Sequence, residues 1–324
     1  MRLFERKDIE KVIRLDTELV GKMEEAFTSL VEKEMTMPPI MRVDVPDHNG
    51  EVDIKSAYIK GEDSFAVKLS SGFFNNPAIG LPSANGLMIL INSRTGEPLA
   101  VLADEGRLTD LRTAAAGAVA AKYGSRDNSR IAGILGTGSQ ARLQLQALML
   151  VRPIEQVFVY GRNDEKAFNF KQEMEQKTGL HLTVCDSVEQ VVGKSDLVVT
   201  TTPSKEPLIY GDWVRPGLHI TAMGSDAEHK QELDATAMGK ADVIVCDVKD
   251  QSARLGELRS SPEQQERAIE LGEVTSGKHS FRQSDEEITI CDLTGTGVQD
   301  TAIARHVYHR LLAWEGVKDE RREV

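Results

Sequence analysis

Four charged residues stand in surroundings that their types do not favour. Lys68 interrupts the apolar strand-like run "FAVKLSSGF", Arg42 follows "TMPPIM", Arg112 lies among small residues in "LTDLRTAAAG", and Asp226 follows Gly224-Ser225 in "TAMGSDAEHK". A lone lysine in an amphipathic strand is ordinarily solvated. An arginine on an alanine-crowded helix face is harder to leave in water, and a buried guanidinium needs a carboxylate or phosphate partner. Asp226, by residue type alone, suits proton transfer or loop-capping equally. No Ser-His-Asp arrangement is readable, and the seven histidines are scattered without metal-ligand spacing.

A second kind of chemistry is written in "RIAGILGTGSQARLQLQALML", Arg130 to Leu150. An apolar run passes through Gly136-Thr137-Gly138 into a segment with helical periodicity. Free N–H groups and the helix dipole at such a helix start favour an anion. Gly136 permits the turn, Gly138 lets a pyrophosphate approach the backbone, and Ala141 takes the third position of the G-x-G-x-x-G/A fingerprint. The following strand ends "VFVYGRND", with Gly161-Arg162 where an NAD-specific domain usually has an acid. Arg162 could pair with a 2′-phosphate, which leans the cofactor expectation from NAD toward NADP, but it could equally stack on adenine or lie in solvent, and Asp164 could still reach the ribose. The loop in "VVTTTPSKEPLI" is expected over the cofactor.

The elements that must position these residues fall into two rhythms. The first third mixes a helix from Asp16 to Glu34 with strand-like runs and a hairpin around "SRTGEP", and an alanine-rich helix covers about Thr109 to Tyr123. From Arg130 strands alternate with helices: Ile131–Leu135, Gln156–Tyr160, Leu182–Cys185, Leu197–Thr201, His219–Ala222, Val243–Cys246 and Ile288–Asp292. Such alternation predicts a parallel sheet with helices on both faces. The expected fold class is α/β: a doubly wound Rossmann domain over 126–305, and a mixed α/β domain over 1–125 completed by about 306–324.

Length and composition fit this reading. A chain of 324 residues suggests two domains. The net charge of −12 argues against a general nucleic-acid binder. Three widely spaced cysteines give neither a disulfide framework nor a zinc site, and Cys185 and Cys246 read as small apolar residues. No run approaches the ~20 apolar residues of a membrane helix, and the charged "MRLFERKDIEKVI" lacks a secretory core. A cytoplasmic location is expected.

Taken together, "AVKLSSGF", "GLPSANGLMIL", "LTDLRTAAAGAVAAKY", "GILGTGSQA", "VTTTPSKEPLI", "AMGSDAEHKQELD" and "DLTGTGVQD" resemble the ornithine cyclodeaminase/mu-crystallin family nearly end to end. Some phrases, such as "TAMGSDAEHK", resemble its ectoine-utilisation branch. The resemblance implies a homodimer with a substrate-binding and dimerisation domain and a Rossmann domain for NAD or NADP. It assigns Lys68, Arg112 and, with looser alignment, Arg42 to a substrate carboxylate, with Lys68 also aiding proton transfer. Ser83 stands where cyclodeaminases often have threonine, and this puts strict ornithine specificity in doubt. Asp226 matches the catalytic acid/base. Gly136, Thr137, Gly138, Ser139 and Gln140 match the phosphate loop, while Thr202, Leu293 and Val298 would border the cofactor. The implied chemistry is hydride exchange at an amino acid's α-carbon through an imine, with ammonia release in a cyclodeaminase. Net redox turnover, as in a ketimine reductase or amino-acid dehydrogenase, is the alternative. A mu-crystallin-type protein that binds NADPH and a small ligand is the third.

Overall fold

The computed structural model describes residues 1–316; the part of the expected C-terminal return over 317–324 lies outside the described residues. Within residues 1–316 the chain divides into two compact units. One comprises Met1–Arg14, Gly21–Arg112 and the chain from Thr296 onward, and the other Leu15–Val20 and Thr113–Gly295. The divisions thus fall at 112/113 and 295/296 rather than 125/126 and 305/306. The alanine-rich helix runs without interruption through the first of them, so no break in local pattern marks it.

The first unit is built on β1 (Arg2–Glu5), α1 (Arg6–Val12), α2 (Thr17–Glu32), β2 (Met35–Thr36), β3 (Met41–Val45), β4 (Gly50–Ile59), β5 (Ser64–Phe73), β6 (Ala84–Asn92), β7 (Pro98–Ala103) and the start of α3 (Arg107–Gly124). Its seven-stranded sheet runs β1-β7-β6-β5-β4-β2, with β3 on β4. Strands β3 to β7 are antiparallel, and β1 adds parallel to β7. Because side chains alternate across a strand, the two faces differ. One carries Lys55, Lys68 and Met88 in cross-strand register. The other carries Met41, Ile54, Leu69 and Leu87, again in register.

The second unit follows with β8 (Ile131–Leu135), α4 (Ser139–Met149), β9 (Gln156–Tyr160), α5 (Asp164–Thr178), β10 (His181–Val184), α6 (Val188–Lys194), β11 (Leu197–Thr200), β12 (His219–Ala222), α7 (Ala235–Lys240), β13 (Val243–Cys246), α8 (Lys249–Leu255), α9 (Pro262–Gln265), β14 (Ile269–Glu270), α10 (Leu271–Thr275) and β15 (Thr289–Asp292). All its strands pair parallel, in the order β10-β9-β8-β11-β12-β15-β13-β14. This is the doubly wound arrangement, with order reversing at β8, which lies between β9 and β11. Strands β11, β12 and β15 are buried along their whole length, as expected of a sheet covered on both faces. Two apolar clusters form its core, one with Ile134, Val159, Phe170 and Val199 and one with Leu135, Val198, Ile220 and Ile290. Helices α3 and α4 approach closely at Gly117, where a Cβ would stand 2.0 Å from Gln144 Oε1.

The chain returns to the first unit as α11 (Gly297–Trp314), which packs on β4, β5 and β6. The contact is specific. Thr301 Oγ1 accepts from Ala66 N–H at 3.1 Å and donates to Ala57 O at 2.8 Å, joining the helix to a facing pair of β4 and β5. A Cβ on Gly297 would meet Ser56 O at 2.4 Å, so only glycine allows the helix start this close. No helix among the described residues is long and apolar enough to cross a membrane. The three cysteines are free and buried.

Candidate active site

In the first unit the expected cations meet a carboxylate that sequence reasoning did not single out. Lys68 is 1% exposed and its Nζ lies 3.0 Å from Asp300 Oδ2. Arg112 Nε donates to Asp300 Oδ1 at 3.0 Å. Asp300 lies in the first turn of α11, next to Thr301, and is fully buried. Burial works against its ionisation, but the charges of Lys68, Arg112 and Lys55 outweigh this and hold its pKa below the ordinary aspartate value. For Lys68 the balance falls the other way: burial first, then the Arg112 charge, push its pKa down to about 7. Asp104, just before α3, accepts from Leu108 N–H at 2.6 Å and is raised by burial to about 6, with backbone N–H donors and then the Lys68 charge opposing. A buried guanidinium calls for such a partner as Asp300. The sequence signal was the acid that ends "DLTGTGVQD", a motif quoted only for the family resemblance.

The other two first-unit expectations are placed differently. Arg42 shares the polar sheet face, but its guanidinium is paired with Asp44, Glu51 and Asp53. Its charge is therefore matched within its own hairpin rather than by Asp300. Ser83 lies just before β6, where its carbonyl accepts from Phe73 N–H at 2.7 Å, a position level with the opposite face of β5 from Lys68.

In the second unit the carboxyl ends of β8, β11, β12 and β15 stand side by side in register at Leu135, Thr200, Ala222 and Asp292. Ligands bind beyond this edge in such sheets. Gly136 has φ +113°, and a Cβ there would lie 2.5 Å from Thr201 Oγ1. Gly138 N-caps α4 with no side chain to cap the start of the helix, and nothing lies within 4 Å of where its Cβ would be. Gly138 and Ser139 are exposed, with Thr137 and Gln140 partly so. Arg142 donates to the carbonyls of Thr137 and Gly138, at 2.6 and 3.1 Å, bracing the turn from behind. The result is an open cradle that fits an anion at a helix N-terminus. Gly161 abuts Thr137, where a Cβ would come within 2.6 Å of the threonine methyl. Arg162 therefore emerges, exposed, next to the turn, while Asn163 is occupied in capping α5 through Lys166 N–H.

The next two loops are tied together by Glu232, another residue the sequence did not flag. Its fully buried carboxylate accepts from Thr202 N–H and Oγ1, both at 2.7 Å, from Gly224 N–H at 2.9 Å, and from Thr200 Oγ1. Burial raises its pKa, and these donors oppose the rise. Glu257 in turn holds the Glu232 and Leu233 N–H groups. Thr202 and the loop carrying Asp226 are thus set by one carboxylate. Asp226 itself is partly exposed and pairs with Lys230 Nζ at 2.7 Å. Leu293, nearly buried, bonds through its N–H to Ala222 O. Val298 is fully buried with Ala57 and Ile59 in the first unit's core. The helical repeat of α11 turns it inward toward β4.

The profile of the ornithine cyclodeaminase/mu-crystallin family matches residues 2–315. An uncharacterised cyclodeaminase of Sinorhizobium fredii is 48% identical, over 96% of this chain and 96% of its own. The structure of Thermococcus litoralis Δ1-pyrroline-2-carboxylate reductase with NADH and L-proline superposes with a TM-score of 0.91 at 33% identity, covering 98% of this chain and 99% of that one. An archaeal alanine dehydrogenase dimer with bound NAD gives 0.89 at 35% identity, covering 97% of each. With the doubly wound sheet, the glycine turn and the buried cation cluster in place, these similarities fix the assignment: the chain belongs to the ornithine cyclodeaminase/mu-crystallin family.

Proposed function

We propose that the protein is an NAD(P)-dependent enzyme that exchanges hydride at the nitrogen-bearing α-carbon of an amino or imino acid. The observation that carries this reading is the buried Lys68–Asp300–Arg112 cluster, which places two cations against one carboxylate. Burying such charges is costly unless they are paired, so the surplus cation invites an anionic ligand. An amino acid's α-carboxylate supplies it. The turn from Gly136 to Gln140 would hold the dinucleotide pyrophosphate, with Arg162 beside a 2′-phosphate and Thr202 and Leu293 along the same sheet edge. The bound nicotinamide supplies the chemistry of accepting and returning a hydride.

The chain's own residues do the rest. Lys68 and Arg112 orient the substrate through its carboxylate. Orientation of this kind lowers a barrier by up to about 7–11 kcal/mol in the best cases. Asp226, released from Lys230, takes a proton from the amine or water that attacks the imine carbon, an acid/base contribution on the order of 10²- to 10⁴-fold. If the substrate's own side-chain amine attacks, ammonia leaves, the hydride returns and the outcome is cyclodeamination. If the imine is released or reduced, the outcome is net redox. The Thermococcus reductase complex with NADH and L-proline favours the second outcome. We also propose a homodimer formed through the apolar face of the first unit's sheet.

Two assays test the reading. Amino acids and cyclic imino acids are offered with each nicotinamide cofactor while absorbance at 340 nm and free ammonia are followed. Asp226→Asn should lower kcat at least 100-fold with dinucleotide affinity retained. Full activity in that variant sinks the catalytic account and leaves a binding protein. Arg162→Ser should weaken NADPH binding about tenfold and NADH binding far less; equal losses would remove Arg162 from the 2′-phosphate.

A further inference from the structure

The loops at the carboxyl edge of the second unit's sheet are joined by three carboxylates in series. Asp292 ends β15, beside Leu293, and its Oδ2 accepts from Leu258 N–H at 3.1 Å. The residue before Leu258, Glu257, accepts from the N–H groups of Glu232 and Leu233 at 2.8 and 3.1 Å. Glu232 in turn holds Thr202 and Gly224, and so sets the loop of Asp226. Each acid grips the backbone that carries the next. All three are fully buried, as is Asp247 beyond them, which holds the N–H groups of Thr294 and Gly295. Among the described residues no ion pair reaches any of these four acids. The nearby cations are engaged elsewhere: Arg259 donates to Lys230 O at 2.9 Å, and Lys230 pairs with Asp226. The remaining titratable neighbours are Cys246 and Cys291, which burial keeps as thiols, and Glu270, whose charge reaches Cys246.

Carboxylates gathered in a buried site without a cation do not all stay ionised. Both oxygens of Glu232 and both of Glu257 accept hydrogen bonds, whereas Oδ1 of Asp292 is buried with none. A Cβ on Gly256 would stand 2.3 Å from Asp292 Oδ2, so backbone closes over the carboxyl group. We propose that Asp292, Glu257 and Glu232 are positioning residues that act in series on Thr202 and Asp226, and that one proton held between Asp292 and Glu257 keeps the series closed. The inference rests on the reading that Asp226 is the acid/base. Burial, then the charges of Asp292 and Glu232, push the Glu257 carboxyl well up. Burial, with the charges of Asp247 and Glu232, raises Asp292 to about 7 against the N–H groups of Glu257 and Leu258. Between its ordinary 3.8 and that value the folded chain holds a proton that the unfolded chain lacks, so this contribution to stability is lost as pH rises through the window. Above it, like charges face one another in the buried site. The segments at 257–258 and 232–233 then part, and the Asp226 loop moves with them. The turn from Gly136 to Gln140 is held by other bonds, so the loss falls on proton transfer and leaves dinucleotide anchoring in place.

The test uses the full-length protein with NADH bound. Hydrogen exchange at about pH 6 and about pH 9, corrected for intrinsic rates, reads the backbone around Thr202 and around Gly224. The expected result is at least a tenfold loss of protection in both at the higher pH, with the glycine turn unchanged. Asp292→Asn and Glu257→Gln stand in for the neutral acids, and each should keep the protection at both values. Protection that is the same at both values in the unaltered protein overturns the proposal, and so do variants that lose it just as the unaltered protein does. Turnover gives a second readout, with the best substrate of the amino- and imino-acid panel at saturation. The unaltered protein's kcat should fall at least tenfold on the alkaline side, and Asp292→Asn should flatten that fall. Lys68 loses its proton in the same range but acts on substrate binding, so its effect belongs to KM. An alkaline loss confined to KM overturns the positioning role. Glu232→Gln should lower kcat at least tenfold at both pH values while NADH affinity holds. If the exchange result stands and Asp226→Asn is fully active, the series is real and the acid/base reading of Asp226 is what fails.

Discussion

At the scale of residues, Asp300 is the group on which the first unit's chemistry turns. Breaking a buried pair leaves an uncompensated charge, at a cost of about 3–5 kcal/mol. Asp300→Asn should therefore lower stability by that order in urea unfolding, far more than a surface Asp→Asn; a loss under about 1 kcal/mol would show that Lys68 and Arg112 find other partners. Lys68 makes a second prediction, about pH. Its pKa is about 7 in the fold against an ordinary 10.5. Between those values the unfolded chain holds a proton that the folded chain lacks, so this group's contribution makes stability rise with pH across that window. Carboxylate binding has the opposite sense, because it needs the ammonium. Above pH 7, binding of an anionic ligand should draw in a proton, visible as a buffer-dependent calorimetric enthalpy. Lys68→Met should remove that dependence. Arg112 was legible from its alanine-crowded surroundings, whereas Lys68 read as an ordinarily solvated strand lysine and was assigned a role only through the family resemblance. Asp300 was not, because it meets Arg112 across 188 positions of chain and no local pattern ties them.

At the scale of elements, the glycine turn shows how one short segment serves both fold and binding. Gly136→Ala forces a side chain into left-handed backbone and against Thr201, so it should cost on the order of 1–3 kcal/mol in stability and also lose dinucleotide. Gly138→Ala has an ordinary φ of −86° and open space around it. It should leave the melting temperature nearly unchanged yet weaken NADH binding at least tenfold, because the added methyl occupies the space a pyrophosphate needs. Fluorescence titration with thermal melts separates the two, and equal behaviour would remove the phosphate role from the turn. Apart from the two-residue β14, the strands from Ile131 onward were readable because buried parallel strands are largely unbroken apolar runs. Strands β1 and β3 were not, being short and partly exposed, with polar residues in between. Glu232 escaped notice for a related reason: in "HKQELD" a fully buried acid looks like any residue of a polar loop.

At the scale of the whole molecule, the apolar face of the first unit's sheet needs a cover. Leu3 is 64% exposed, Met41 57% and Val43 45%. They continue in register into Val101, Ile89 and Val67, into Ile54, Leu69 and Leu87, and into Val52, most of them only partly buried. A contiguous patch of this kind marks an interface, whereas scattered exposed apolar residues do not. A second copy of the same face is its simplest complement, because a two-fold pairing makes one patch serve both partners. Introducing charge at the outer strand, as in Met41→Asp with Val43→Asp, puts at least two unpaired carboxylates per subunit into that interface. Sedimentation velocity should then show a species of half the mass at micromolar concentration. The unaltered protein should sediment as a dimer under the same conditions. Because the glycine turn belongs to the second unit, the charged variant should still bind NADH, which distinguishes lost pairing from lost folding. A variant that stays dimeric and keeps its melting temperature would place the interface elsewhere and leave this face to another partner.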